Sequence, residues 1–341
     1  MSAEVLIIYN GGTIGMQPST QGYTPVPGYP QQQMQSIPAF AKPALPTYDI
    51  IEQHPLIDSA HMHPDRWWGI AKLIEQYHDR YRGFVILHGT DTLAYTASAL
   101  PFMLENLRKP VILTGSQIPL CEIRNDAQEN LVTSLMIAAH YPIPEVCLYF
   151  GGKLMRGCRS TKLDATGFQA FFSPNYPLLG EVGIEIEIYW NRIRSMPQRQ
   201  PLRTRALHQA TVGALRLFPG ISASVLANML RPPLQGLVLE TFGVGNAPSN
   251  DPMFLRVLKE ATAAGIVLVN CTQCSKGRIR QDAYAAGHAL GDCGVVSGED
   301  LTTEAALAKL YYLLSEGHTP SQVREAMTTN LRGEMRDRDK A

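Results

Sequence analysis

Two threonines in this chain stand where a hydroxyl could be made into a nucleophile. Thr13 lies in Asn10-Gly11-Gly12-Thr13-Ile14-Gly15, and Thr90 in His88-Gly89-Thr90-Asp91-Thr92. A threonine hydroxyl attacks poorly at neutral pH and needs a partner that removes its proton. Asp91 adjoins Thr90, and Lys162 lies in Gly157-Cys158-Arg159-Ser160-Thr161-Lys162-Leu163-Asp164. A buried lysine sheds its proton readily and can act as a base. Proton transfer of this kind is worth roughly 10²–10⁴ in rate. Each residue also has a plainer reading. A threonine after glycine can close a turn or cap a helix, Asp91 can cap the helix that follows, and Lys162 can be a solvated surface charge.

Both threonines follow short apolar runs, Val5 to Tyr9 and Gly83 to Leu87. Runs of this kind, rich in β-branched residues and ended by glycine, read as buried strands of a parallel sheet. In open α/β sheets, ligands bind just beyond the carboxyl ends of such strands. Glycine beside each threonine lets the backbone approach a ligand closely. Strand-like and helix-like segments alternate onward: a helix from Leu73 to Tyr81, a helix from Ala97 to Leu107, a strand at Val111 to Gly115, a helix from Leu131 to His140, and a strand from Glu145 to Phe150. That order implies a mostly parallel sheet with helices on both faces. Asn191 to His208 carries Arg192, Arg194, Arg199, Arg203 and Arg205 with Pro197 and Pro201, and is expected to be an interdomain linker; a basic patch is the alternative. The alternation then resumes with strands at Ala214 to Phe218, Gly236 to Glu240 and Gly265 to Asn270, and helices at Thr303 to Ser315 and Ser321 to Met327. The expected organisation is α/β in two domains: a larger amino-terminal domain (1–190), a linker (191–209) and a smaller carboxy-terminal α/β domain (210–341). Within the first domain, directly after the Thr13 motif, Gln17 to Pro46 holds seven prolines and three consecutive glutamines without clear period. A loop this long inside a compact domain is usually a functional lid, or else a passive insert.

Bulk properties narrow the class. A length of 341 residues favours two domains, and 45% hydrophobic residues supply sizeable cores. Thirty basic residues balance thirty acidic ones, which argues against nucleic acid or an anionic membrane as the main partner. No apolar run approaches the roughly 18 residues of a membrane span. Met1-Ser2-Ala3-Glu4 lacks a basic segment and Val5 to Ile8 is too short for a signal core, so a cytoplasmic protein is expected. Six cysteines in a chain this long point to free thiols, not a disulfide framework.

The two threonine motifs closely resemble signatures of the bacterial asparaginase family. Thr114-Gly115-Ser116-Gln117 and Phe171-Phe172-Ser173-Pro174-Asn175 are similar too. Phe242-Gly243-Val244-Gly245-Asn246-Ala247-Pro248 and Asn330-Leu331-Arg332-Gly333-Glu334 look like the cytoplasmic type I branch. The resemblance covers nearly the whole chain. It implies the two-domain asparaginase/glutaminase fold and hydrolysis of L-asparagine to L-aspartate and ammonia through an acyl-threonine, with no metal or organic cofactor. Thr13 matches the primary nucleophile. Tyr23, in Gly22-Tyr23-Thr24-Pro25, matches the activating tyrosine, which would give the proline-rich lid a chemical purpose. Thr90, Asp91 and Lys162 match a second triad that assists proton transfer and the attack of water. Asp91 also matches the ligand of the substrate's α-amino group. Ser59, with Asp58 and Ala60 beside it, matches the ligand of the α-carboxylate. A zwitterionic amino acid needs such a pairing of anion and donors, and backbone amides near Gly12 or Thr90 would stabilise the oxyanion.

The resemblance further implies a homo-oligomer, a tetramer built as a dimer of dimers, with Asn246 reaching a neighbour's site. The type II branch completes its first triad with an acidic residue from a neighbouring subunit. The comparable stretch here, Gln281-Asp282-Ala283-Tyr284, offers no clear glutamate, so the third partner of Thr13 is left open. Some type I members bind a second, regulatory asparagine near Cys271–Cys274 with an arginine before the Gly-Val-Gly-Asn turn. Here Glu240 stands beside Cys271, Thr272 and Gln273 in that role, and an acidic residue repels a carboxylate; effector binding is expected to be lost or altered.

Other constellations carry less. His61-Met62-His63 with Asp58 and Asp65 would suit a metal-dependent amidohydrolase, but the pair follows no clear strand, and solvated loop histidines are expected. Cys271-Thr272-Gln273-Cys274 has no second Cys-x-x-Cys and reads as a pair of structural thiols. Gly220-Ile221-Ser222-Ala223-Ser224 lacks the last glycine of a nucleophile elbow, and Gly243-Val244-Gly245 lacks the third glycine of a dinucleotide site. Trp67-Trp68 reads as core packing. A non-catalytic amino-acid sensor would need neither Lys162 nor Tyr23. The amidase subunit of a tRNA-dependent amidotransferase would carry a further domain for which no residues remain.

Overall fold

The computed structural model describes residues 3–20 and 22–337. Met1 and Ser2 of the amino-terminal stretch and Gln21 of the proline-rich segment lie outside them. The chain divides into two compact units, Met1–Ala206 and Leu207–Ala341.

The first unit is built around β1 (Val5–Gly11), which is buried along its whole length. β2 (Met16–Ser19) and β3 (Gly22–Pro25) form an antiparallel hairpin, followed by α1 (Tyr29–Ser36), β4 (Tyr48–Ile57), α2 (Pro64–Tyr77), β5 (Gly83–Leu87) and α3 (Leu93–Met103). Then come β6 (Leu104–Glu105), β7 (Val111–Thr114), α4 (Ala127–His140), β8 (Val146–Phe150), β9 (Lys153–Arg156), β10 (Thr161–Lys162), β11 (Phe171–Phe172), β12 (Gly180–Val182), β13 (Ile186–Ile188) and β14 (Arg203–Thr204). The main sheet runs β13-β12-β9-β8-β7-β5-β1-β4. From β8 to β4 every pair is parallel, while β9, β12 and β13 are antiparallel additions. Val5, Ile7, Tyr9, Val85, Leu87 and Ile112 share one core with Leu131 and Leu135 of α4. Each large apolar side chain fully buried in this way is worth about 1.5–3 kcal/mol.

The segment from Gln17 to Pro46 is more ordered than an irregular loop. Gly28 adopts a left-handed conformation that starts α1, Pro30 sits in its first turn, and Met34 and Phe40 bury in the main core. Two apolar anchors outweigh the proline content. The stretch after residue 190 also differs from a free linker. Arg194 N–H donates to the buried Glu145 carboxylate at 2.6 Å, β14 pairs with β6, and Thr204 N–H donates to Glu75, so the chain stays on the first unit as far as Ala206.

The second unit holds a four-stranded parallel sheet, β15-β16-β17-β18, from β15 (Val212–Arg216), β16 (Gly236–Thr241), β17 (Val267–Thr272) and β18 (Val296–Ser297). Its helices are α5 (Ala223–Met229), α6 (Pro252–Ala263), α7 (Ala285–Asp292), α8 (Thr303–Ser315) and α9 (Pro320–Met327). Lys309, in α8, and Glu334 are both fully buried and lie 2.7 Å apart. Glu334 also accepts N–H bonds from Leu331 and Arg332, so the segment after α9 is tied into the core. No helix among the described residues is long and apolar enough to cross a membrane.

Candidate active site

The chain leaves β1 toward β4 on one side, and leaves β5 toward β7 on the other. The crevice at this reversal, beyond the carboxyl ends of β1 and β5, is where open α/β sheets bind ligands. Thr13 follows β1 and Thr90 follows β5, so both predicted threonines stand there. The two turns touch through their glycines. Gly12 has φ +88°, and a Cβ on it would lie 2.2 Å from Gly89 N. Only glycine permits that approach in that backbone conformation. Ser59, 4% exposed after β4, also packs on Gly89.

Lys162 is delivered by the short β10–β11 ribbon, where it pairs with Phe171. Its ammonium donates to Thr90 Oγ1 at 2.8 Å and to Asp91 Oδ1 at 2.7 Å. The lysine side chain is 18% exposed and that of Asp91 68%, so the carboxylate faces solvent while the lysine is screened beneath it. An ammonium has only donors, so the Thr90 hydroxyl turns its own hydrogen to Gln117 Oε1, 3.1 Å away. Gln117 Nε2 in turn donates to the carbonyls of Ala165 and Gly167. Gln117 belongs to the motif after β7, and its bond to Thr90 crosses from strand to strand in a way that sequence spacing does not reveal.

His88 sets the orientation of the Thr90 turn. Trp67 Nε1 donates to Thr96 Oγ1 at 2.9 Å, Thr96 Oγ1 lies 2.8 Å from His88 Nε2, and His88 Nδ1 lies 2.7 Å from Gly89 O. An indole N–H only donates and a carbonyl only accepts. Thr96 therefore donates to Nε2, and Nδ1 carries the imidazole proton. Burial pushes the His88 pKa down to about 4, against the partial upward pull of its bond to Gly89 O. With the Gly89 carbonyl held on the His88 side, trans geometry sends the Thr90 N–H the other way.

Tyr23, on the β2–β3 hairpin, is 48% exposed. Its phenol donates to Glu122 Oε1 at 2.7 Å. Glu122 lies in the loop between β7 and α4, which also reaches the Thr13 turn: Leu120 N–H donates to Ile14 O at 3.2 Å. Nothing in the sequence pattern singled out Glu122.

The remaining candidates sit as follows. The Asp58 carboxylate accepts from Ala60 N–H and caps a 3₁₀ turn, Ser59–His61. Asn246 closes a tight turn with Phe242, and its side-chain oxygen is buried without a hydrogen bond to a described residue. Glu240 accepts from Thr303 Oγ1 at 2.9 Å, Thr272 Oγ1 donates to Gly243 O, and Gln273 Nε2 donates to the carbonyls of Leu217 and Glu240. Cys271 is buried and its thiol is pushed up to about 12, by burial first and the nearby Glu240 charge second, which makes it inert. His61 and His63 are exposed, and His63 caps α2. Among the described residues, no group of three or more His, Cys, Asp or Glu is placed to hold a metal ion.

Comparison with known proteins matches residues 4–194 to the family description "Asparaginase, N-terminal" and residues 211–327 to "Glutaminase/Asparaginase C-terminal domain". The chain is 51% identical over 335 residues to the L-asparaginase 1 of Escherichia coli K12, covering 97% of this chain and 98% of that protein. The crystal structure of L-asparaginase I from Vibrio cholerae superimposes with a TM-score of 0.90 at 48% identity, covering 98% of this chain and all of that one. The thermostable L-asparaginase of Thermococcus kodakarensis gives 0.88 at 32% identity, with 98% and 99% covered.

Proposed function

The chain belongs to the glutaminase/asparaginase family, and on that premise we propose that it hydrolyses L-asparagine to L-aspartate and ammonia through an acyl-threonine intermediate. The observation that carries the reading is the position of Lys162, whose ammonium bridges the Thr90 hydroxyl and the Asp91 carboxylate at the switch point of the sheet. A chain needing only to bind an amino acid has no use for a screened lysine on a threonine hydroxyl.

Thr13 attacks the side-chain amide, with Tyr23 receiving its proton when the hairpin closes. Asp91 meets the α-ammonium of the substrate. Ser59, with the turn that Asp58 caps through Ala60, meets the α-carboxylate. The Thr90 N–H, aimed away from His88, donates to the developing oxyanion; such donors are worth several kcal/mol in a water-poor site. Thr90 and Lys162 then guide the water that cleaves the acyl-threonine, Lys162 acting as base after giving up a proton. Family membership supports a homotetramer of two dimers, with Asn246 reaching a neighbouring site. Cytoplasmic location is proposed on the same membership.

Ammonia release from asparagine by wild type, Thr13→Ala and Lys162→Met tests the chemistry. With folding intact, kcat is expected to fall by about 10³-fold or more in the first variant and by about 10²–10⁴-fold in the second. Undiminished turnover by Thr13→Ala would falsify the nucleophile assignment.

A further inference from the structure

The hydroxyl of a threonine stays inert unless its proton has somewhere to go, and Tyr23 alone is a poor destination. The hydrogen bond to Glu122, the nearby charge and partial desolvation together raise the phenol pKa, the hydrogen bond contributing most. A phenol held protonated cannot be a standing base. It can pass a proton along, provided a carboxylate waits behind it.

We propose that Glu122 of the same chain is that carboxylate, backing Tyr23 during activation of Thr13 and completing the first catalytic set without an acidic residue from a neighbouring subunit. The inference rests on the roles given above to Thr13 and Tyr23. Its ground is the 2.7 Å contact from Tyr23 Oη to Glu122 Oε1, together with the loop that supplies it.

That loop, residues 115–126, is held at both threonine turns. Gln117 accepts the Thr90 hydroxyl, and Leu120 N–H donates to Ile14 O one residue beyond Thr13. Two residues later comes Glu122. Its own backbone is fixed in turn, because its carbonyl accepts from Asn125 Nδ2 at 2.6 Å, while Asp126 accepts from the N–H groups of Gln117 and Ile118. On the other side, the hairpin bearing Tyr23 starts directly after the Thr13–Gly15 turn, and Val26 N–H returns to Gly15 O. Both partners of the contact are thus anchored to the turn that carries Thr13. Tyr23 and Tyr29 both lie within reach of the Glu122 charge.

The step balances as follows. The Thr13 Oγ–H proton passes to Tyr23 Oη while the Tyr23 proton passes to Glu122. The Oγ lone pair forms the bond to the amide carbon, and the carbonyl π pair moves to its oxygen. On collapse the C–N bond breaks, and the proton returns from Glu122 through Tyr23 to the leaving nitrogen, giving ammonia and the acyl-threonine. Glu122 touches neither substrate nor Thr13. It is a positioning residue that acts through the phenol.

Glu122→Gln separates proton acceptance from anchoring. The amide oxygen still accepts the phenol's hydrogen bond, so the hairpin stays tethered, but the side chain no longer takes a proton. With asparagine, kcat is expected to fall about a hundred-fold or more, the scale of a general-base contribution, with KM changed less than about threefold. Glu122→Asp recovers part of the loss. In a Tyr23→Phe background, Glu122→Gln removes little more, because the relay is already broken. Wild-type kcat in Glu122→Gln, with loss only in Glu122→Ala, assigns Glu122 to tethering and overturns the proposal, as do additive losses in the double variant. Thr13→Ala run alongside distinguishes the levels. If it is active, the underlying mechanism fails; if it is inactive while Glu122→Gln is unimpaired, only the role of Glu122 fails.

Discussion

A histidine sealed between a threonine that donates and a carbonyl that accepts has to stay neutral to keep both bonds. His88 takes up a proton near 6.5 once the chain unfolds, but only near about 4 while folded. Between those values the unfolded chain binds more protons, so acidification favours unfolding there and the contribution of His88 is complete only above the upper value. The wild type is expected to lose about 3 kcal/mol more than His88→Gln between about pH 7 and about pH 4. Denaturant titrations of both proteins at the two pH values measure the difference, and equal losses would refute a neutral buried imidazole. The contrast between residues is instructive. Thr13, Thr90 and Lys162 were legible because glycine-flanked motifs and a family resemblance marked them. Gln117 is visible in the sequence only as part of a motif, and Glu122 not at all, because their partners lie 27 and 99 residues away and are set by how loops meet in space.

Elements place these side chains by contact between backbones. The Gly12 and Gly89 turns are so close that neither can shift alone. Gly12→Ala would force a methyl group to 2.2 Å from Gly89 N at a φ of +88°. The substitution is expected to cost about 2–4 kcal/mol and to lower kcat by at least about tenfold, since both threonine turns must part. Thermal unfolding and ammonia release check it, and a variant with wild-type values of both would show that the turns yield freely. Strands and helices were legible from apolar runs ended by glycine, and α8 begins and ends where its sequence pattern does, at Thr303 and Ser315. The proline-rich segment looks irregular in sequence because a two-strand hairpin and an eight-residue helix are too short to show a period. The arginine-rich stretch resembles a linker in composition, because its hold on the first unit runs through Glu145, Glu75 and the edge of β6, which composition does not display.

At the scale of the molecule, the proposed tetramer rests on family membership. Ile123 and Ile184 are fully exposed, and Trp190 and Phe218 are about half exposed. Apolar side chains scattered singly in this way are normal on a protein surface and do not by themselves mark a contact. Sedimentation of the full chain is expected to give a tetramer that dilutes to dimers. A monomer at all concentrations would contradict both the assembly and a role for Asn246 across a subunit boundary. The second unit carries a consequence of another kind in Lys309 and Glu334. A cation fully enclosed in a core is tolerable only with its counter-ion in place, and leaving it alone costs about 3–5 kcal/mol. During synthesis the lysine leaves the ribosome first and the glutamate only after α9 has been made. Until Glu334 is in place the lysine is better left in water, so this part of the second unit cannot close over it. A chain that stops short of Glu334 is left to bury that cation alone or to leave α8 unpacked.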